Sequence, residues 1–225
     1  MDYMKSYFSK IIDDYDTVAD AVVMKNDELH TCLANVLPFE KDKKISVLDL
    51  GSGTGHGMSL ILERFQNAKV TGIDFSKKMI QISTEKLKPF GERVKLIDQD
   101  FRDSIFSESY NTMVSAIAIH NITHQQKEVL FQKIFNALKD GGIFVNADFI
   151  EGESKDIHEH YRQIYSKYMQ EHLSGEELTV WLHHAFVEDM PMKLTEQFSL
   201  LKKIGFKDIT LHWQFGMEAV YSARK

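Results

Sequence analysis

Between residues 45 and 150, short apolar runs alternate with amphipathic stretches. "ISVLDL" (45–50) is apolar, β-branched and halted by glycines, which predicts a strand covered on both faces. "MSLILERF" (58–65) has helical apolar spacing, and "KVTGID" (69–74) predicts a second strand. "SKKMIQISTEKLKPF" (76–90) predicts a helix with Ser76 capping its first turn. "RVKLIDQD" (93–100) and "YNTMVSAIAI" (110–119) predict the third and fourth strands. "THQQKEVLFQKIFNALKDGG" (123–142) predicts a helix opened by a Thr123–Gln126 capping box and stopped at Gly141. "IFVNADFI" (143–150) predicts a fifth strand.

Residues 151–192 break the alternation. Ile157, Tyr161, Ile164, Tyr165 and Tyr168 recur at helical spacing. Ser174 and Glu177 stand in capping-box positions ahead of a second helix carrying Leu178, Trp181, Leu182 and Phe186. A helix follows over 193–206, and "DITLHWQF" and "MEAVYSAR" predict two closing strands paired at Gly216. Strand–helix alternation requires right-handed crossovers between parallel strands. The predicted fold is α/β: a doubly wound, mostly parallel seven-stranded sheet with an antiparallel last strand and a helical insert. Four regions result: an N-terminal helical cap (1–40), a sheet core (41–150), a lid-like insert (151–192), and a helix and strand pair completing the core (193–225). Ligands of such sheets bind beyond the carboxyl ends of the strands.

Composition narrows the partners. Of 225 residues, 43% are hydrophobic and 27% charged, which suits an ordinary globular domain. A net charge of -6 disfavours nucleic acid, whose phosphates ask for basic surface. Cys32 is the only cysteine, so no internal disulfide forms and a reducing, cytoplasmic setting is expected. The first 16 residues carry early acids and no long apolar core, unlike a signal peptide, and no run approaches a membrane span.

Four glycines, Gly51, Gly53, Gly55 and Gly57, follow the first strand. A phosphate loop needs a lysine followed by Ser or Thr after its last glycine, and Met58 and Ser59 stand there instead. A dinucleotide fingerprint asks for a third glycine where His56 or Met58 lies. An acid about 20 residues on, Asp74, suits the hydroxyls of any ribose and so does not choose between nucleotides.

The spacing D-x-G-x-G-x-G from Asp49 resembles motif I of the class I S-adenosylmethionine (SAM) dependent methyltransferases, with a Rossmann-like core. "GIDFSKKMI", "DQDFRD", "SAIAIHNI" and "LKDGGIFV" carry the resemblance onward. It implies SAM as cofactor, S-adenosylhomocysteine as product, and methyl transfer to a small-molecule acceptor. It also implies roles for single residues. Asp49 orders the loop and helps hold the amino end of SAM, and Gly51, Ser52, Gly53 and Gly55 meet its methionine part. Asp74 grips the ribose, Phe75 and Met79 line the adenine, and Asp100 and Phe101 meet its amine and face. Ala116 and Ile117 open the fourth-strand segment that faces the reacting methyl. There is also likeness to the carboxy-SAM synthase branch, whose chemistry differs.

Methyl transfer from a sulfonium expels a neutral thioether, so positioning supplies most of the rate. If the acceptor needs a base, His120 and Tyr15 are the candidates; each is equally suited to shaping or covering the pocket. In the insert, Tyr161, Tyr165, Trp181 and His183 are candidate substrate contacts, or they pack the insert helices together. The histidines fall in no metal-ligand spacing, so no metal is expected. No membrane partner is expected, and the insert is a candidate homodimer interface.

Overall fold

The computed structural model describes residues 15–106 and 109–225, with backbone alone for residues 15–17. Helices α1 (Tyr15–Val22) and α2 (Asn26–Asn35) come first. Next are β1 (Ser46–Leu50), α3 (His56–Arg64), β2 (Lys69–Asp74), α4 (Lys77–Leu87), β3 (Val94–Asp98), β4 (Tyr110–Ala116), α5 (His124–Ala137) and β5 (Leu138–Glu151). The insert holds α6 (Lys155–His172), α7 (Gly175–His183) and a π turn (His184–Glu188). β6 (Met192–Lys193), α8 (Leu194–Ile204), β7 (Lys207–Phe215) and β8 (Glu218–Arg224) complete the chain.

The sheet runs β3-β2-β1-β4-β5-β8-β7, with β6 beside β5. β8 runs antiparallel to both of its neighbours, β5 and β7, as expected of the last strand. The sheet has eight strands, one more than predicted: the chain leaving the insert lies along Ile150 and Glu151 and pairs there for two residues. A run that short leaves no periodic trace in a sequence.

Side chains alternate across a strand, and here both sets are covered. Leu48, Met113 and Phe144 enter one apolar cluster with α5 and α8. Val47, Val114 and Val145 enter another with α2 and α3. On α5, Leu130, Phe131 and Ile134 are buried at one-turn spacing; Phe131→Ala would cost about 3–5 kcal/mol. The Thr123–Gln126 capping box forms, and Ser76 caps α4 by accepting from Met79 N–H. Helix α5 stops at Ala137 rather than Gly141, because Leu138 pairs with Tyr110 and starts β5 through a bulge. Ser174 makes no side-chain cap on α7, so that predicted capping box is absent.

A third cluster joins Val18, Val22 and Val23 to Tyr165, Met169, Leu173 and Trp181, over Phe149 and Met217. The predicted N-terminal cap therefore divides. Helix α2 belongs to the sheet layer, and α1 packs with the insert helices.

Candidate functional site

The site lies where β1, β2 and β4 end. After Leu50 the chain turns over β2, as the N–H groups of Gly51 and Ser52 both donate to the Ile73 carbonyl, at 2.8 and 3.0 Å. Gly51 has φ +75°, and a Cβ there would stand 2.5 Å from the Ala118 Cβ. Gly53 has φ +51° and no atom within 4 Å of its Cβ position, so its bare face opens on free space. Gly55 opens α3, with Leu87 and Ser83 of α4 within 3.2 Å of its Cβ position. The loop is thus fitted to protein on one side and open on the other.

Asp74 ends β2 beneath it. One carboxylate oxygen accepts from Gly53 N–H at 2.9 Å, the other from Ser76 N–H at 2.8 Å. Burial pushes its carboxyl pKa up, and those two N–H groups pull it back. Asp49, whose strand neighbour across β1–β2 is Gly72, is buried and pushed up to about 7 by burial and the Asp74 charge. Two neighbouring acids of this kind suit a ligand that brings a cation and hydroxyl donors.

Phe75 is 62% exposed beside Asp74, which is unusual for phenylalanine and fits a flat ligand ring. Met79 is buried on the first turn of α4. Phe101 is buried, with a ring atom 3.7 Å from the Gly51 Cβ position. The Asp100 carboxylate is taken by Arg102, whose Nε lies 3.0 and 2.9 Å from its two oxygens. Ser52 turns its hydroxyl inward: the oxygen stands 2.7 Å from the Gly72 Cβ position, and Ser52 offers the site its backbone alone. Ala116 ends β4, and Ile117 follows at φ +49°, a costly conformation for a β-branched residue. Such strain of about 1–3 kcal/mol clusters at functional sites.

His120 follows on a short 3₁₀ turn (Ile119–Asn121) and is buried. Asp148 of β5 accepts from its backbone N–H at 2.9 Å and faces its Nδ1 at 2.6 Å. Asp189, at the root of the insert, lies 3.7 Å from its Nε2, which the Asn121 side-chain amide approaches at 2.9 Å. Burial works against the charged ring, but Asp189 and Asp148 outweigh it and raise the pKa. An imidazole so committed is a poor free base. Tyr15 begins α1, and its side chain lies outside the described residues.

The four expected substrate contacts do not converge. Tyr165 and Trp181 fill the interior of the cap cluster, and the Tyr165 hydroxyl donates to Glu218. Of the two readings open for these rings, this is the packing one: the insert and α1 need an apolar interior of their own, and large rings supply it. Tyr161 sits at the cluster rim, its hydroxyl accepting from Gln214 at 3.1 Å. The His183 side chain is 59% exposed, 3.9 Å from Glu188. Among the described residues no group of three His, Cys, Asp or Glu is placed for a metal, and no helix is long and apolar enough to cross a membrane.

Sequence reasoning passed over Asp148, Asp189, Lys127 and Glu218. Three carried a signal. Asp148 and Glu218 are acids inside apolar strands, and Lys127 falls on the same face of α5 as Leu130 and Phe131. Asp189 carried none.

Residues 47–142 match the family described as methyltransferase domain. The carboxy-S-adenosyl-L-methionine synthase of Staphylococcus epidermidis is 31% identical over 187 residues, covering 81% of this chain and 79% of that protein. The malonyl-[acyl-carrier protein] O-methyltransferase of Priestia megaterium is 25% identical, covering 90% of this chain and 80% of that one. Among solved structures, an O-methyltransferase family protein from Burkholderia thailandensis superposes with a TM-score of 0.72 at 11% identity. That match covers 98% of this chain and 62% of the other, a likeness of fold.

Proposed function

The chain belongs to the class I SAM-dependent methyltransferase family, with SAM as its cofactor, and on that premise we propose that it methylates a small-molecule acceptor. SAM supplies an electrophilic methyl whose departure leaves a neutral thioether.

The observation that carries it is the Gly53–Asp74 unit: a bare, open loop whose N–H is tied to a buried acid, with Lys86 meeting the loop at the Thr54 hydroxyl, 3.1 Å away. The loop backbone from Gly51 to Gly55 would hold the methionine part. Asp49 would face its ammonium, and Asp74 the ribose hydroxyls. Phe75, Met79 and Phe101 would enclose the adenine. Asp100, engaged by Arg102, would act by fixing its own turn rather than through a free carboxylate. Ala116 and Ile117 would offer backbone beside the transferred methyl. Catalysis then rests on orientation, worth up to about 7–11 kcal/mol in well-aligned systems.

A second reading has a specific support, the likeness to carboxy-S-adenosyl-L-methionine synthases. In that reading the same loop holds SAM, a second, carboxyl-donating substrate supplies the carboxyl group, and the product is a carboxylated SAM. Calorimetric titration with SAM, S-adenosylhomocysteine and NAD, on wild type and Asp74→Ala, tests the shared part. The expected result is binding of both adenosyl ligands, none of NAD, and a loss of about 2–3 kcal/mol in the variant. NAD binding, or no adenosyl binding, would sink both readings. Mass analysis of the adenosyl product after turnover separates them: S-adenosylhomocysteine supports methyl transfer, and a species heavier than SAM by a carboxyl group supports the second.

A further inference from the structure

The insert leaves the sheet after Glu151 and returns at Met192, and its return path is stitched to the turn after β4. Met190 N–H donates to the His120 carbonyl at 2.8 Å. Lys127 Nζ donates to the carbonyls of Met190 at 2.6 Å and Ile122 at 2.5 Å. Burial lowers the Lys127 pKa to about 8, against the pull of Asp148 and Asp189. The centre of the seam is His120, facing Asp148 of the core and Asp189 of the insert. The three side chains are at most 5% exposed. The other Asp189 oxygen is 3.5 Å from His184 Nε2, on the π turn. One imidazole therefore stands between two buried carboxylates from two parts of the molecule, with Lys127 the other cation that feels both, and removing the imidazole leaves those carboxylates short of a counterion.

The same turn touches the glycine loop. Ala118 occupies the space that a Gly51 side chain would need. Ile117, held at φ +49°, packs against both the sheet cluster and the cap cluster. The Phe149 ring meets His120 edge-on at 5.0 Å and Tyr165 edge-on at 5.5 Å. One residue, Ile119, separates the loop contact at Ala118 from His120, and one ion pair separates His120 from the insert.

We propose that His120 is a positioning residue whose Asp148–imidazole–Asp189 bridge couples occupancy of the glycine loop to docking of the helical insert. The inference rests on the loop's being the SAM site. Ligand in the loop settles the backbone from Ala116 to Ala118, the turn carrying His120 settles with it, and Asp189 draws the insert down. The coupling works through two discrete contacts, so it breaks at either one.

Asp189→Asn tests it, since it keeps the shape, removes the insert's charge and lies outside the groups assigned to SAM. Hydrogen exchange is followed over residues 176–190 with and without S-adenosylhomocysteine, alongside calorimetric affinity. In wild type the ligand should slow exchange there about tenfold, and in Asp189→Asn by less than about twofold, with affinity down about tenfold and strand exchange in the core unchanged. His120→Gln should act in the same direction, and the double variant should be no worse than either single one. If Asp189→Asn fails to fold, Lys127→Gln loosens the same seam and should also blunt ligand-dependent slowing. Wild-type-like slowing in a folded variant, or additive losses in the double variant, would overturn the coupling. Failure of wild type to bind S-adenosylhomocysteine is a different result, and it would overturn the SAM reading itself and this inference with it.

Discussion

The glycine loop and the cap lie at the same end of the sheet and are held by different forces. The loop is fixed by backbone: N–H groups on a strand carbonyl and a strand-end carboxylate, with glycines where a side chain would collide or block. Its parts lie within about 30 residues. The cap is fixed by buried titratable side chains whose partners are far apart in sequence. Glu218 accepts from the Met24 N–H at 2.7 Å and the Lys25 N–H at 3.1 Å, across 194 and 193 residues, and also from Tyr165. A cap held by buried titratable side chains takes on the titration of the groups that hold it.

The contrast breaks most sharply at two glycines. Gly51→Ala puts a methyl 2.5 Å from Ala118 at a left-handed φ. It should cost about 2–4 kcal/mol of stability and abolish SAM binding. Gly53→Ala meets no protein atom, so stability should fall by only about 1–2 kcal/mol while SAM binding is still lost. Thermal melts with calorimetry on both variants check this. Equal stability losses would mean that the loop is not fitted on one side and open on the other.

The cap should show its charge. Burial pushes Glu218 up to about 7, against its hydrogen bonds from Tyr165, Met24 and Lys25. The folded pKa lies above the unfolded value of 4.5, so the contribution is complete below 4.5 and is lost as pH rises to about 7. That interval corresponds to about 3 kcal/mol. Glu218→Gln should lower stability by about 1–3 kcal/mol through the lost acceptor. The melting-temperature gap between wild type and variant should shrink from about pH 5 to about pH 7.5. A gap independent of pH would place Glu218 among neutral contacts.

The smallest effect belongs to Asp49, a buried acid of the backbone-held site. Free Asp49 is pushed up to about 7. An ammonium beside it would favour the carboxylate, so SAM binding should release a proton below about pH 7. Affinity should rise with pH toward that value, by at most about tenfold per pH unit, and then level. Calorimetry at about pH 6 in buffers of different ionisation enthalpy measures the proton directly, and no release would remove Asp49 from the ammonium's surroundings.

This division also explains what was legible beforehand. Asp49, the glycines and Asp74 were readable because strand, loop and acid are contiguous and each has a local reason. The α5 capping box was readable for the same reason. The seam was not. Asp189 looks like any acid in a loop, and nothing near it in sequence names His120 as its partner. Tyr165 and Trp181 stayed open between two readings because an aromatic at helical spacing looks the same whether it faces a ligand or another helix. β6 was missed because two residues have no period.

The position of β8 has a consequence for the order in which the molecule is made. It is the last strand of the chain, yet it lies between β5 and β7 and not at an edge of the sheet. Until it emerges from the ribosome, β5 keeps a bare flank and β7 has no neighbour. Glu218 is its first residue, and it secures the junction of α1 and α2 near the other end of the chain. Synthesis of β8 therefore closes the sheet and assembles the cap in one step, and a nascent chain lacking it exposes an open strand edge to its neighbours.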